Sequence, residues 1–316
     1  MQYELTPKLS INKTLKNAHP GDIIYLKNGI YYEKVEIFNN NIQIIGESKE
    51  NTIISNNDYY HKVMPDNNEC NTFRTYTVLV KGNSVSIENI TIENTSVPSC
   101  KYGQSVALSV LGTNFLCESC IIKSAQDTLF TGPMPDNIIE RYSNCGYQEY
   151  LLSNITSFQK YNNCLIEGDV DFIFGGATAL FEGCTIKIIN RDGIDHFEAN
   201  TYISAPSHTQ DTPYGYLFYK CKTICSCDTK GIYLARPWRD YGCAAYILCE
   251  MSNDSINPLG FNKWNDSNRD KTARFYEYSE NLDLSKREKW VHELNKLEAT
   301  EYVIDFMKYF NDNFNN

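Results

Sequence analysis

Two short strings in this chain set acidic residues among apolar ones: Gln126-Asp127-Thr128-Leu129 and Asp171-Phe172-Ile173-Phe174-Gly175. Both read as strand, so each places a carboxylate in a segment destined for burial. A buried Asp is costly unless it is paired or given a task. Two such groups facing one cleft would split their proton affinities, leaving one ionised and one protonated at neutral pH. That division suits a nucleophile working beside a general acid. Taken singly, either Asp also fits a structural role in which it satisfies turn amides.

Strands must hold these groups in place, and the middle of the chain supplies them as a repeat. The spacing apolar, two residues, apolar, one residue, apolar recurs as Ile87-Ile90-Ile92, Cys117-Cys120-Ile122, Tyr161-Cys164-Ile166 and Phe181-Cys184-Ile186, and less cleanly at Phe218-Cys221. Copies about twenty to forty-five residues apart signal a solenoid whose coils stack equivalent side chains in ladders. Asn, Gly and Ser bound each short strand, as in Lys81-Gly82-Asn83-Ser84 and Tyr161-Asn162-Asn163. Long helices are scarce before residue 280. From Ser285 onward Trp290, Leu294, Leu297, Tyr302, Ile304, Phe306, Met307 and Phe310 recur at near-helical spacing, which predicts a helical tail over 285–312. No linker divides the chain, so one domain over 1–316 is expected.

Composition narrows the function. The 42% hydrophobic and 22% charged fractions belong to a globular protein. A net charge of −10 without a Lys/Arg cluster argues against a nucleic-acid partner. No run is long enough to span a membrane, and the polar stretch from Met1 to Gly21 lacks the apolar core of an export signal. The twelve cysteines read best as small reduced hydrophobes within the ladders. A zinc site at Cys117/Cys120 and Cys225/Cys227 is disfavoured, since the second pair has the wrong spacing and no His lies close by.

Several strings in order make the chain resemble the pectin methylesterases (pectinesterases) from about residue 10 to 280. Gly29-Ile30-Tyr31-Tyr32-Glu33 resembles that family's G-x-Y-x-E, and Thr72-Phe73-Arg74 with Thr77-Val78 its T-F-x-S-A-T-V strand. Gln104-Ser105-Val106-Ala107-Leu108 resembles Q-A-V-A-L, while the Asp127 and Asp171 strings match Q-D-T-L and D-F-I-F-G unchanged. Leu234-Ala235-Arg236-Pro237-Trp238 resembles L-G-R-P-W, and Asn257-Pro258-Leu259-Gly260-Phe261 with Trp264 resembles N-P-x-G-W. The resemblance implies a single-stranded right-handed parallel β-helix that demethylates galacturonan without metal or organic cofactor. It makes Asp171 the nucleophile, Arg236 its orienting partner and Asp127 the general acid and base. Gln104 and Gln126 become oxyanion donors, and Trp238, Phe174 and Thr72 substrate contacts. Tyr31, Glu33 and Trp264 fall nearer to structure than to function.

The pattern departs from the family in places. Asp127 and Asp171 stand roughly one coil further apart in sequence than the family places them, so residues 131–156 are expected to loop out. A whole extra coil would hold the carboxylates on the order of 9–10 Å apart, too far to share one ester. The match Tyr142-Cys145-Tyr147 then belongs to that excursion. Ala235 replaces a Gly, which would strain the chain if the position needs positive φ.

A Ser-His-Asp esterase is disfavoured by the lack of a G-x-S-x-G elbow and by five His (19, 61, 196, 208, 292) that fall outside every matched string. A β-helix polysaccharide lyase would need a basic catalyst and clustered carboxylates holding calcium. A thioesterase-like relative could use the same machinery, whereas an idle carbohydrate-binding solenoid would not need it intact. The substrate expected is methyl-esterified galacturonan or its oligomers, handled by a monomer. Without a visible export signal the location expected is cytoplasmic, the alternative being secretion with a leader absent from this sequence.

Overall fold

A chain that repeats apolar residues at the same places can bury them together only by winding, so that each strand lies beside its own copies. The computed structural model, which describes residues 1–135, 138, 156–191, 201–225, 231–251 and 254–314, winds in this way into a right-handed parallel β-helix. Three parallel sheets form its walls. The longest has eleven strands running from Gln2–Leu5 to His292–Glu293, and each of the others has seven. One rung runs Phe115–Glu118 in the long sheet, Ile121–Lys123 in the second and Leu129–Thr131 in the third, which carries the cleft.

The repeat seen in the sequence is the inward-facing ladder. Ile87, Cys117, Tyr161, Phe181, Phe218 and Tyr246 are register partners on successive rungs, all buried. Their rings stack at 4.8 Å between Tyr161 and Phe181, 4.6 Å between Phe181 and Phe218, and 4.4 Å between Phe218 and Tyr246. Each such pair adds about 0.5–1.5 kcal/mol beyond the area it buries. One corner further, Cys120, Cys164, Cys184, Cys221 and Cys249 follow one another. Each thiol donates to a carbonyl of the preceding rung at 3.3–3.4 Å, for example Cys184 Sγ to Tyr161 O. A thiol fits that corner because it is small and brings a donor for a carbonyl facing the core. The bounding polar residues have their own reason: Asn89, Ser119, Asn163 and Gly183 all take positive φ between the long and second sheets, where the chain turns within one residue.

The tail differs from expectation. The helix spans Lys296–Phe314 instead of 285–312, and residues 292–293 add a last strand to the long sheet. Trp290 and Leu294 mimic helical spacing by chance: Trp290 packs on Phe275 at the end of the coil. The helix starts where Asn295 Oδ1 accepts from the backbone N–H groups of Leu297 and Glu298, while Glu298 Oε2 accepts from Asn295 N–H, a reciprocal cap. Its buried Ala299, Phe306 and Phe310 cover the outer face of the long sheet at Phe158, Leu180, Leu217 and Ala245. Among the described residues no helix is long and apolar enough to cross a membrane.

Candidate active site

The functional strings converge on the outer face of the third sheet. Gln104 and Gln126 form a parallel bridge just ahead of the strands Leu108–Val110 and Leu129–Thr131. The next strand, Val170–Gly175, pairs directly with Leu129–Thr131, Leu129 opposite Ile173. In that register Asp127 lies opposite Asp171, and Asp127 N–H donates to Val170 O at 3.1 Å. The two carboxylates therefore sit on neighbouring rungs with no coil between them. The expected excursion lies almost wholly outside the described residues, as do Tyr142, Cys145 and Tyr147. Its start is described: the strand ends at Thr131, and the Gly132–Pro133 bond that follows is cis.

Neither Asp is an ordinary strand residue. Asp127 has φ 63° and Asp171 φ 49°, in the left-handed region that few side chains other than Asn and Asp occupy. Such conformations persist only where surrounding structure enforces them. Here the flanking ladders do so: Phe172 and Ile173 are fully buried on one side, Leu129 on the other.

Arg236 reaches Asp171 with a two-toothed fork, Nε to Oδ1 at 2.8 Å and Nη2 to Oδ2 at 2.6 Å. Its guanidinium lies between two rings, 3.8 Å from the centroid of Tyr202 and 4.1 Å from that of Trp264. Ala235, which precedes it, is an ordinary strand residue without positive φ, so the missing Gly introduces no strain.

Burial pushes the Asp127 carboxyl well above the usual carboxylate range, and the neighbouring Asp171 adds to the rise while Arg236 opposes it. Burial also raises Asp171, but here the Arg236 hydrogen bonds and charge pull back directly. The fork limits the rise at Asp171 without reversing it, because the cost of burying the charge is the larger of the two effects. The Asp127 carboxyl is thus pushed up further than that of Asp171.

These groups line one cleft of about 290 Å³, shared by Thr72, Gln104, Gln126, Asp127, Asp171, Phe174, Arg236 and Trp238. Every residue expected at the site is brought together there. The cleft also takes in Tyr60, Phe73, Ile138, Ala205 and Trp264. Trp264, read from the sequence as nearer to structure than to function, lines the cleft as well as packing against the core. Its signal was an aromatic just past a Gly-Phe turn, where Asn262 Oδ1 accepts from Trp264 N–H and φ is 71°. Tyr31 and Glu33 are structural: the Tyr31 hydroxyl donates to Leu5 O and Lys27 O, and Glu33 accepts from Ser10 Oγ and from the N–H groups that open the helix Ile11–Leu15. His208 is not an ordinary polar residue but a buried one, kept neutral by burial that lowers its pKa to about 4. His19, His61 and His292 lie away from the cleft, and His196 falls outside the described residues. Cys117 and Cys120 are core ladder residues, Cys225 is half-buried, and Cys227 is outside the described residues.

Known proteins share this fold. A pectin methylesterase from carrot has the same fold, with a TM-score of 0.75 at 23% identity, covering 93% of this chain and 88% of its own. A pectin methylesterase in complex with hexasaccharide VII aligns at a TM-score of 0.71 and 22% identity, over 93% of this chain and 90% of that one. In sequence, the probable pectinesterase/pectinesterase inhibitor 13 of Arabidopsis thaliana is 27% identical over 296 residues, 89% of this chain and 42% of the relative. The chain spans about half the length of the curated relatives it matches. The pectinesterase family model matches residues 6–135 and 134–309, nearly the whole length. With its coils, its paired carboxylates and this match in agreement, the chain belongs to the pectinesterase family.

Proposed function

We propose that this chain is a pectin methylesterase that hydrolyses methyl esters of galacturonate residues in pectin or oligogalacturonides and releases methanol. The observation that carries the reading is the Arg236 fork on Asp171 beside a more proton-retentive Asp127, all in one cleft. Asp171 attacks the ester carbonyl carbon, and the carbonyl electrons move onto oxygen. The Gln104 and Gln126 amides donate to that oxyanion without neutralising either carboxylate, as a Lys would. The tetrahedral species collapses as Asp127 gives its proton to the departing methoxide, leaving an acyl anhydride on Asp171. Asp127, now ionised, takes a proton from water, whose oxygen attacks the anhydride and frees Asp171. Trp238, Phe174 and Thr72 face the same cleft and form the wall for the sugar ring.

The chemistry uses only side chains, and a monomer with one domain over 1–316 is sufficient for it. The relatives give the cytoplasmic expectation no support, and secretion better suits an esterase of an extracellular polymer. Methanol release from methylated oligogalacturonides by wild type and Asp171→Ala tests the reading. Wild type is expected to release methanol without forming an ultraviolet-absorbing unsaturated sugar, and the variant to lose at least about a thousandfold in rate, the scale of a missing nucleophile. Equal rates would remove Asp171 from the mechanism.

A further inference from the structure

Arg236 and Asp171 are not on neighbouring rungs. Arg236 follows the strand Tyr233–Ala235, Asp171 lies in Val170–Gly175, and the strand Tyr202–Pro206 runs between them. Two rung spacings are about 9–10 Å of main-chain separation. The Arg236 side chain must therefore cross a whole rung before its fork can close, and a long flexible side chain loses rotamer freedom in doing so. The rung it crosses presents Tyr202, whose ring lies 3.8 Å below the guanidinium. Tyr202 is itself buried and stacked, at 5.3 Å and 14°, on its register partner Tyr233 one rung on. Trp264 closes the pile from above at 4.1 Å. A planar guanidinium donates along its edges, and with two rings held against this one its Nε/Nη2 edge is the one that meets Asp171.

We infer that Tyr202 is a positioning residue for the reaction: with Trp264 it clamps the Arg236 guanidinium so that the fork stays aimed at Asp171. Tyr202 is not among the residues lining the cleft, so its part is played through Arg236 and not through the sugar. This rests on the catalytic reading above, in which Asp171 works as an oriented carboxylate.

The test compares wild type, Tyr202→Leu, Tyr202→Phe and Asp171→Ala on a methylated hexagalacturonide across pH, with thermal melting of each protein. Removing one face of a desolvated cation–π pair is expected to lower kcat about 5- to 30-fold. KM should stay within twofold, and the acid limb of the rate profile should move to higher pH as Asp171 is held less firmly. Tyr202→Phe, which keeps the ring, should restore most of the lost rate. A kcat unchanged in Tyr202→Leu, a loss confined to KM, or a Phe variant as slow as the Leu one would overturn the assignment. If Tyr202→Leu does not fold, Trp264→Leu against Trp264→Phe reads the other face. An unmoved acid limb in Trp264→Leu then counts against the clamp. An active Asp171→Ala would instead sink the catalytic reading itself, so the two failures are distinguishable.

Discussion

Replacing Arg236 by Lys keeps a cation beside Asp171 while removing the fork. The guanidinium gives the carboxylate two short bonds, at 2.8 and 2.6 Å, and its carbon lies 3.8 and 4.1 Å from the centroids of two aromatic rings. An ammonium is a point donor on a shorter stem and can hold one oxygen at best, with no plane to stack. Losing one charge-assisted hydrogen bond costs about 1.5–3 kcal/mol. If that loss is felt in the transition state, the rate falls about 10- to 150-fold. The pH dependence should change as well. In the proposed mechanism Asp171 must be ionised to attack, so activity is expected to rise with pH through its pKa. Burial raises that pKa and the fork restrains it, so weakening the fork moves the acid limb to higher pH. Initial rates of methanol release between pH 4 and 9 measure both effects at once. An Arg236→Lys enzyme within threefold of wild type and with its acid limb in place would show that charge alone suffices and that the fork geometry is irrelevant.

Asp127→Asn should abolish turnover yet stabilise the protein at neutral pH. The unfolded carboxyl ionises near pH 3.9, whereas the folded one holds its proton well above that. Between those two values the folded state binds the extra proton, so stability falls as pH rises, and an amide escapes the loss. Each tenfold gain in proton affinity on folding corresponds to about 1.4 kcal/mol, so melting at pH 7 should rise by about 2–4 °C or more, with the gain gone at pH 3. A variant that melts at or below wild type at pH 7 would contradict the burial argument. Phe218→Leu removes stacking on both neighbours, 4.6 and 4.4 Å away, and should cost about 1–3 kcal/mol in a denaturant melt while leaving kcat within twofold. A large fall in kcat with unchanged stability would mean that the ladder does more than hold the rungs.

How far these features could be read from the chain depended on whether a local pattern was tied to a position in space. The ladder was legible because burial forces equivalent residues onto one line, so Ile87-Ile90-Ile92 and its copies announce both strand and corner. The site was legible because its members sit in compact strings, each on its own rung, and register brings Gln104, Gln126, Asp127 and Asp171 side by side. Tyr202 and Trp264 were not, because their positions depend on where Arg236 must travel, a distance across rungs that no local string encodes. The tail was misplaced because Trp290 and Leu294 happen to continue a helical spacing. Asn295 and Glu298, a capping pair three residues apart, marked the true start.

The left-handed backbone at Asp127 and Asp171 has an evolutionary consequence. In the proposed mechanism each position has to meet two demands, an acid and a residue that tolerates that main-chain shape. Glu would conserve the charge and fail the shape, whereas Asn fails the charge and keeps the shape. Lineages that abandon the reaction but retain the solenoid should therefore drift at these two sites to Asn or Gly before anything else. A descendant carrying Asn at both would be a folded, sugar-holding relic instead of a ruined protein.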